Sequence, residues 1–349
     1  SDWILLLDDE ADLAGLPGWL VDALASVAED RGHEGKHAVS LSRSIADPFL
    51  TFSTRRDLRE TVYRAWLARG ENGGETDNLA IIAETLALRQ EKAGLLGYET
   101  YAAYKLDDTM AKTADNVGQL LETVWEKGVA RANEEADDIA GLIAAEGHNH
   151  APAKWDWRHY AEKIRRQRFD FSDDDVKPYM QLEKMIEAAF AVATRLFGVT
   201  FEEIEGVPLY HPDARLWAVK NPDGSHRALF IGDYFARSSK RSGAWMSGLR
   251  SQSKLTGETA IILNTMNFAK PPKGKPAFLS FDDARTLFHE FGHALHGMLS
   301  DVTYPSVSGT AVSRDFVELP SQLYEHWLTV PEVLNTYALH HETGEPMPK

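Results

Sequence analysis

Apolar residues recur every three to four positions through the first two thirds of the chain, which is the spacing of a helix that buries one face. In Gly18–Asp30, for example, Leu20 and Leu24 lie on one stripe. The predicted helices are Gly18–Asp30, 53–69, 78–96, 98–104, 113–146, 155–168 and 174–197, with a short extended piece at 39–41. The side chains expected to point inward from the longest helix are Val117, Leu120, Leu121, Val124, Ile139, Leu142 and Ile143.

After Gly198 the pattern changes to alternation of apolar and polar residues, which is typical of a strand with one buried face. The segments Arg215–Lys220 and 227–231 flank Asn-Pro-Asp-Gly, a hairpin signal, and 259–268 alternates in the same way. We therefore predict a small antiparallel sheet. The segment 240–246 lies between its strands and is interpreted either as an exposed edge that binds an extended peptide or as an ordinary connecting loop.

Helical spacing returns at 280–299, where Ser280 with an acid three residues later predicts an N-cap. This helix contains the sequence H-E-x-x-H. Because positions i and i+4 share one face, His289 and His293 can bind the same metal ion. Glu290 lies beside that metal without coordinating it and can take a proton from a bound water. His296 shares the face only in part, so we expect a packed or hydrogen-bonding histidine rather than a fourth ligand.

A mononuclear catalytic zinc site usually has three protein ligands and leaves one position for water. The stretch 313–327 has the pattern of a second amphipathic helix, and the turn-rich stretch 297–309 can bring it back beside the first helix. Glu318 is the best candidate for a carboxylate ligand on the second helix. Asp315 and Glu325 are the alternatives.

Composition narrows the possible partners of the 349-residue chain. Its formal net charge of −16 argues against nucleic acid or an anionic membrane as a partner. The absence of cysteine excludes disulfides and thiolate metal sites, so a metal must be bound by His, Asp or Glu. No apolar run reaches the length of a membrane span. We expect a cytoplasmic monomer, and we expect a fragment because the chain begins with Ser and ends without a finished element.

Several motifs together resemble the thimet oligopeptidase family of zinc metallopeptidases, and within it most closely the bacterial peptidyl-dipeptidases. The core motifs are HEFGHALHG at 289–297, SGT at 308–310 and RDFVELPSQ at 314–322. Further similarity extends through the chain, including WDW at 155–157 and GAWM at 243–246. These core motifs are highly specific.

The resemblance implies one zinc ion per chain, with His289, His293 and Glu318 as ligands and Glu290 as the base. It implies a mainly α, zincin-type fold with the small sheet beside the H-E-x-x-H helix, in a longer ellipsoid divided by a channel for short unstructured peptides. Residues 1–198 would form the helical channel wall, and 199–349 the catalytic region. The family's substrate-binding His and Tyr follow the equivalent of Lys349, so we expect the fragment to lack them.

The expected function is hydrolysis of short peptides with release of carboxyl-terminal dipeptides. Such a cut requires a cation for the terminal carboxylate, and Arg237, Lys240 or Arg241 could provide it. The default interpretation of these three residues is a solvated cluster of charges. One alternative is an endo-acting oligopeptidase of the same family. The other is a non-catalytic helical module with zinc as a structural clip, against which the intact Glu290 argues, because a structural site has no need of a base.

Overall fold

The structure is a computed structural model that describes residues 3–169, 173–237, 239–271 and 275–348. About half of the residues are helical. Contacts between Cα atoms divide the chain into two compact units, which are described separately. The first is formed by Ser1–Asp107 and Ala111–Phe171, and the second by Asp108–Met110 and Ser172–Lys349. Among the described residues, no helix is both long enough and apolar enough to cross a bilayer.

The first unit is helical except for one two-stranded antiparallel sheet, β1 with β2. Its elements are β1 (Ile4–Leu7), α1 (Gly18–Asp30), β2 (His37–Ser40), α2 (Arg43–Phe52), α3 (Arg56–Leu67), α4 (Leu79–Leu95), α5 (Tyr101–Leu106), α6 (Ala114–Ala145) and α7 (Trp157–Phe169). The sequence did not predict α2, because Pro48 lies inside it and proline removes one hydrogen bond from a helix.

Two separate apolar cores hold the first unit together. One packs α1, α2 and α3 around fully buried residues such as Leu20, Leu24 and Phe49. The other is small and joins Ile139 and Ile143 of α6 to Tyr160 of α7. The prediction that the first half of α6 points inward is wrong for three side chains, since those of Leu120, Leu121 and Val124 are exposed.

In the second unit, helices pack against a five-stranded sheet. Its elements are α8 (Asp173–Val176), α9 (Leu182–Phe197), β3 (Thr200–Glu203), β4 (Arg215–Lys220), β5 (His226–Phe235), β6 (Trp245–Arg250), β7 (Ala260–Phe268), α10 (Phe281–Met298), α11 (Leu319–Glu325) and α12 (Pro331–Tyr337). The predicted helix 174–197 is interrupted at Pro178, where a 3-10 turn separates α8 from α9.

The sheet has the order β3-β4-β5-β7-β6, and it is mixed rather than antiparallel. The predicted hairpin of β4 and β5 is antiparallel, but β5 and β7 are parallel. The difference arises because the segment after β5 forms an additional strand, β6, at the sheet edge, and β7 then inserts between β5 and β6. Of the two interpretations of 240–246, the strand edge applies to its last two residues, which begin β6.

A single apolar core in the second unit wraps around α10. The ring of Phe291 lies 5.3 Å from the rings of both Phe190 and Phe230, measured between centroids. Because α9 contributes Phe190 to this core, it belongs with the sheet, although the predicted regions divide the chain after it. The predicted helix at 313–327 begins only at Leu319, with Pro320 in its first turn.

Candidate metal centre

The helix α10 begins as the sequence predicts. The Asp283 main-chain N–H donates to the Ser280 hydroxyl over 3.0 Å, and the Ser280 N–H donates to the Asp283 carboxylate over 3.1 Å. This reciprocal capping box fixes the first turn and thereby the phase of the helix. His289 and His293 follow on one face, with ring centroids 4.9 Å apart and ring planes at 85°.

Three side chains converge where the motif predicts a metal. The Oε2 atom of Glu318 lies 3.2 Å from Nε2 of His289 and 3.1 Å from Nε2 of His293. Within the described ranges, these three residues are the group of His, Asp or Glu side chains whose potential ligand atoms all lie within 4.8 Å of one another. The structure thus brings together the two histidines of one helix and the carboxylate predicted on the next.

The spacing of these atoms suits zinc. Bonds of about 2.0–2.1 Å in a tetrahedral site would separate the ligand atoms by about 3.3 Å, close to both measured N–O distances. Two imidazoles and one carboxylate also form a donor set that zinc accepts readily. Three ligands leave a fourth tetrahedral position for water or substrate.

A close approach of α10 and α11 positions the carboxylate. A methyl group at Gly292 would lie 2.7 Å from the Cα of Ser321 and 2.9 Å from the carbonyl oxygen of Pro320, so only glycine permits this crossing. Glu318 is the N-cap residue of α11, and the buried hydroxyl of Ser321 donates to its Oε2 over 2.9 Å. The two helices therefore fix the distance between the histidines and Glu318.

The two alternatives to Glu318 have other partners. Oδ1 of Asp315 accepts a hydrogen bond from the Met110 amide. Glu325 lies on the far side of His289, where its Oε1 is 2.6 Å from Nδ1 of the ring. This contact orients the imidazole so that Nε2 faces Glu318 and His293. The sequence placed Glu325 near the site but gave no sign that it contacts the second nitrogen of a ligand.

Glu290 is 7% exposed and has lost most of its hydration. Burial raises its pKa to about 7, with an opposing effect from His289 and a reinforcing one from the negative charge of Glu318. The main-chain amide of Met246 in β6 also faces this carboxylate and lowers the pKa slightly. The edge strand of the sheet thus lies directly beside the proposed base.

His296 lies apart from the converging group. It lines an open, largely apolar pocket of about 570 Å³ on another side of α10, together with residues such as Leu295 and Trp327. Burial lowers the pKa of His296, and its Nδ1 atom has no partner in the part of the chain that the structure describes. The ring lies 6.4 Å from that of Phe316, in the position of a packed side chain.

Comparison with known proteins identifies a peptidase family for this chain. A family model described as Peptidase family M3 matches residues 49–349. The chain belongs to this family. Family M3 consists of metallopeptidases, so the resemblance indicated by the motifs is confirmed.

Curated relatives extend the match to nearly the whole chain. The dipeptidyl carboxypeptidase of Escherichia coli (strain K12) is 39% identical over 345 residues, 99% of this chain and 51% of the relative. Oligopeptidase A of the same organism is 36% identical, with 99% and 52% covered. Oligopeptidase A of Haemophilus influenzae is 35% identical with the same coverage. The chain therefore spans about half the length of these relatives.

Proposed function

We propose that the protein is a zinc peptidase that hydrolyses short peptides and releases carboxyl-terminal dipeptides. The observation that carries the proposal is the convergence of His289, His293 and Glu318 beside the buried carboxylate of Glu290, in a chain of family M3. The name of the relative with 39% identity supports the dipeptide cut. A zincin-type fold and a substrate channel, both implied by the resemblance, belong to the same proposal.

In this proposal, His289, His293 and Glu318 hold one zinc ion. When bound, zinc supplies a Lewis acid that polarises a carbonyl group and lowers the pKa of water toward about 7. The two imidazoles bind as neutral bases through Nε2. The Nδ1–H group of His289 donates a hydrogen bond to Oε1 of Glu325, which leaves Nε2 of that ring free for the metal.

Glu290 is the proposed general base and acid. Its carboxylate accepts a proton from the attacking water and then delivers that proton to the amine that leaves when the peptide bond breaks. Burial raises the pKa of this carboxyl group, and a general base or acid is most effective when its pKa lies near the working pH. Proton transfer of this kind contributes about 10²- to 10⁴-fold to the rate.

The free edge of β6 is the proposed binding site for the peptide backbone. β6 is the last strand of the sheet and pairs only with β7 among the described strands. An extended peptide can add to such an edge through main-chain hydrogen bonds, which do not depend on its sequence. Short unstructured peptides are therefore the proposed substrates. Nucleic acid and membranes are not proposed as partners, and a cytoplasmic monomer remains a prediction.

The function is tested by Glu290→Gln in the full-length protein, which keeps the shape of the side chain but removes the base. We expect hydrolysis of a short quenched peptide to fall at least 10²-fold while zinc content stays at one per chain. Glu332→Gln, at an exposed position of α12, is the matched control and should leave activity unchanged. Full activity of the Glu290 variant would exclude the proposed mechanism.

The role of Glu325 is tested by Glu325→Ala, again with a Glu332→Ala control. Loss of the hydrogen bond to Nδ1 should weaken zinc binding about 10- to 100-fold, because a ligand imidazole without this partner is no longer held in one orientation. Competition with a zinc chelator measures this change. An unaltered zinc affinity would show that the contact does not support the metal.

An endo-acting oligopeptidase is the second candidate, favoured by the 36% identity to Oligopeptidase A. The chemistry at Glu290 would be the same, but the cut would not depend on the peptide terminus. Mass spectrometry of the products of one long peptide distinguishes the candidates. Dipeptides released stepwise from the carboxyl end support the first, and internal fragments support the second.

A further inference from the structure

Three cationic residues follow β5. Two of them, Arg237 and Lys240, form ion pairs with a carboxylate of the fold, and the third, Arg241, does not. Arg237 donates to both carboxylate oxygens of Asp233, over 2.8 and 2.6 Å. The Nζ atom of Lys240 donates to the carbonyl oxygens of Asp233, Phe235 and Met266 and pairs with the Asp233 carboxylate at 2.8 Å. Both cations are therefore held by groups of the fold, and the side chain of Lys240 is only 3% exposed.

The electrostatics of Asp233 agree with this structural role. Burial alone would raise its pKa, but hydrogen bonds from Arg237, Lys240 and Tyr210 outweigh burial and lower the pKa to about 2. The carboxylate is therefore charged at physiological pH, and it forms ion pairs with both of its cationic neighbours. A substrate carboxylate would therefore compete with Asp233 for these two cations.

Arg241 differs from both. Its side chain is exposed, and its guanidinium carbon lies 4.6 Å from the centroid of the Trp245 ring, the first residue of β6. Within the described ranges, no carboxylate lies within 4.0 Å of a nitrogen of this guanidinium. Stacking on an aromatic face holds an arginine in place while its N–H groups stay available to an anion.

The backbone that carries Arg241 is fixed as well. The side-chain amide of Asn267 in β7 donates to the carbonyl oxygen of Arg241 over 2.8 Å and to that of Gly243 over 2.6 Å. Gly243 has φ of 95°, a conformation that favours glycine and turns the chain into β6. The cation is thus held at the start of the edge strand before any ligand arrives.

The start of β6 is also the part of the strand nearest the proposed base. Met246, next after Trp245, presents its amide to Glu290, and its Cε atom would lie 3.8 Å from a methyl group on Gly297 of α10. An extended peptide advances about 3.3 Å per residue, so the carboxylate of a second residue past the cut lies roughly 7 Å from the reacting carbonyl. Arg241 stacks on Trp245, the residue before Met246, and so lies at this end of the strand.

The opposite end of β6 is a poorer place for an anion. Arg250 donates from Nε to the carbonyl oxygen of Thr259 over 2.7 Å and from a terminal nitrogen to the Thr259 hydroxyl over 3.1 Å. A peptide that binds antiparallel to β6 directs its carboxyl end toward the start of the strand, and a parallel peptide directs it toward Arg250. The free cation therefore favours antiparallel binding.

We propose that Arg241 binds the terminal carboxylate of the peptide and thereby sets the cut two residues from its carboxyl end. The inference rests on the proposed peptidase function and adds a residue that determines specificity. Arg241 takes no part in the chemical step. Its charge should therefore affect the cleavage of peptides with a free carboxyl terminus and not of peptides with a terminal amide.

The experiment compares two quenched peptides of identical sequence in the full-length protein, one with a free carboxyl terminus and one with a terminal amide. In Arg241→Gln we expect kcat/KM for the free acid to fall about 10- to 100-fold, mainly through KM, because a charge-assisted hydrogen bond is lost. The amide, which carries no charge, should be cleaved at the rate of the unaltered protein. Arg241→Lys should restore part of the preference for the free acid.

Arg195→Gln, at an exposed position of α9, is the control for loss of a surface charge and should leave both rates unchanged. An equal loss for both peptides in Arg241→Gln would overturn the proposal, since it would indicate a distorted site. Unchanged rates for both peptides would overturn it as well, while leaving the peptidase function standing. Failure of the unaltered protein to cleave either peptide would overturn the peptidase function and the anchor together.

Discussion

The two compact units bury their apolar residues in different ways. In the second unit one continuous core encloses α10, and its aromatic rings come from α9, β3, β4, β5 and α11 as well. In the first unit the cores are small and separate, and long parts of two helices remain uncovered. The large exposed apolar side chains of these helices are Leu79, Ile81, Ile82, Leu86, Leu88 and Leu95 in α4 and Leu120, Leu121, Val124, Trp125 and Val129 in α6.

This difference shows what helical spacing does and does not predict. The pattern 113–146 correctly predicted a helix at Ala114–Ala145, and Ile139 and Ile143 are buried as expected. The same pattern gave no information on which turns of the helix have a partner in this chain. A stripe of apolar residues reports that a face prefers burial, whereas burial itself depends on the neighbouring surface.

The largest effect should follow from emptying the core of the second unit. Phe291 is 2% exposed and contacts aromatic rings on four other elements, so Phe291→Ala should cost about 3–5 kcal/mol. Hydrogen exchange of the α10 amides measures the loss in that unit alone. Phe197→Ala, at a half-exposed position of α9, should have a much smaller effect. Equal losses of stability in the two variants would mean that burial in the continuous core does not determine how much a side chain stabilises this unit.

The second effect is a pH-dependent loss of about 3 kcal/mol in the free energy of unfolding, and it should be confined to the first unit. Burial, together with the positive charge of Arg59, lowers the pKa of His159 from 6.5 to about 4, while the ring keeps a hydrogen bond to the Thr51 carbonyl. Because the unfolded chain takes up the proton first, this stability is complete above pH 6.5 and is lost as the pH falls toward 4.

His159→Gln is the variant that isolates this contribution, since glutamine can donate to Thr51 but does not titrate. Hydrogen exchange of the α7 amides should show a smaller loss of protection between pH 7 and pH 4.5 in the variant than in the unaltered chain. The protection of α10 should respond equally in both proteins. A parallel pH dependence of α7 in the two chains would remove His159 as the cause.

The smallest effect is expected on the uncovered face. Leu121 is 60% exposed, so Leu121→Ala should change the free energy of unfolding by no more than about 0.5 kcal/mol. Ile143→Ala on the same helix, at a position 1% exposed, should cost about 2–5 kcal/mol. Comparable losses at both positions, measured by urea denaturation, would show that the two halves of α6 are equally supported.

Local signals in the sequence predicted most of the elements. Gly18–Asp30 and Arg215–Lys220 have the predicted bounds, and the Ser280 cap begins α10 as expected. These features depend on neighbouring residues, which a sequence displays directly. The mixed order of the sheet depends on where β7 inserts, and no local pattern encodes a choice between two strands that are both available for pairing.

The convergence of the three proposed metal ligands could be predicted from the sequence, but the contacts that support these side chains could not. The spacing of His289 and His293 follows from one helix, and the motif around Glu318 selected that carboxylate among three. Two supporting contacts join residues far apart in sequence. Glu325 contacts His289, and the side-chain amide of Asn267 donates a hydrogen bond to the carbonyl oxygen of Arg241. Such contacts follow from the crossing of helices and the register of strands, which only the folded chain defines.

The burial of α10 has a consequence for how this segment can vary. Six consecutive residues, 290–295, are buried, so the helix has no free face through its central turn. An ordinary surface helix accepts polar changes at about half of its positions, but here Phe291, Gly292 and the proposed metal ligand His293 follow one another without an exposed residue between them. A complete substitution scan should therefore show an unbroken block of intolerant positions, in which the proposed metal ligand and the residues that only fill space look alike.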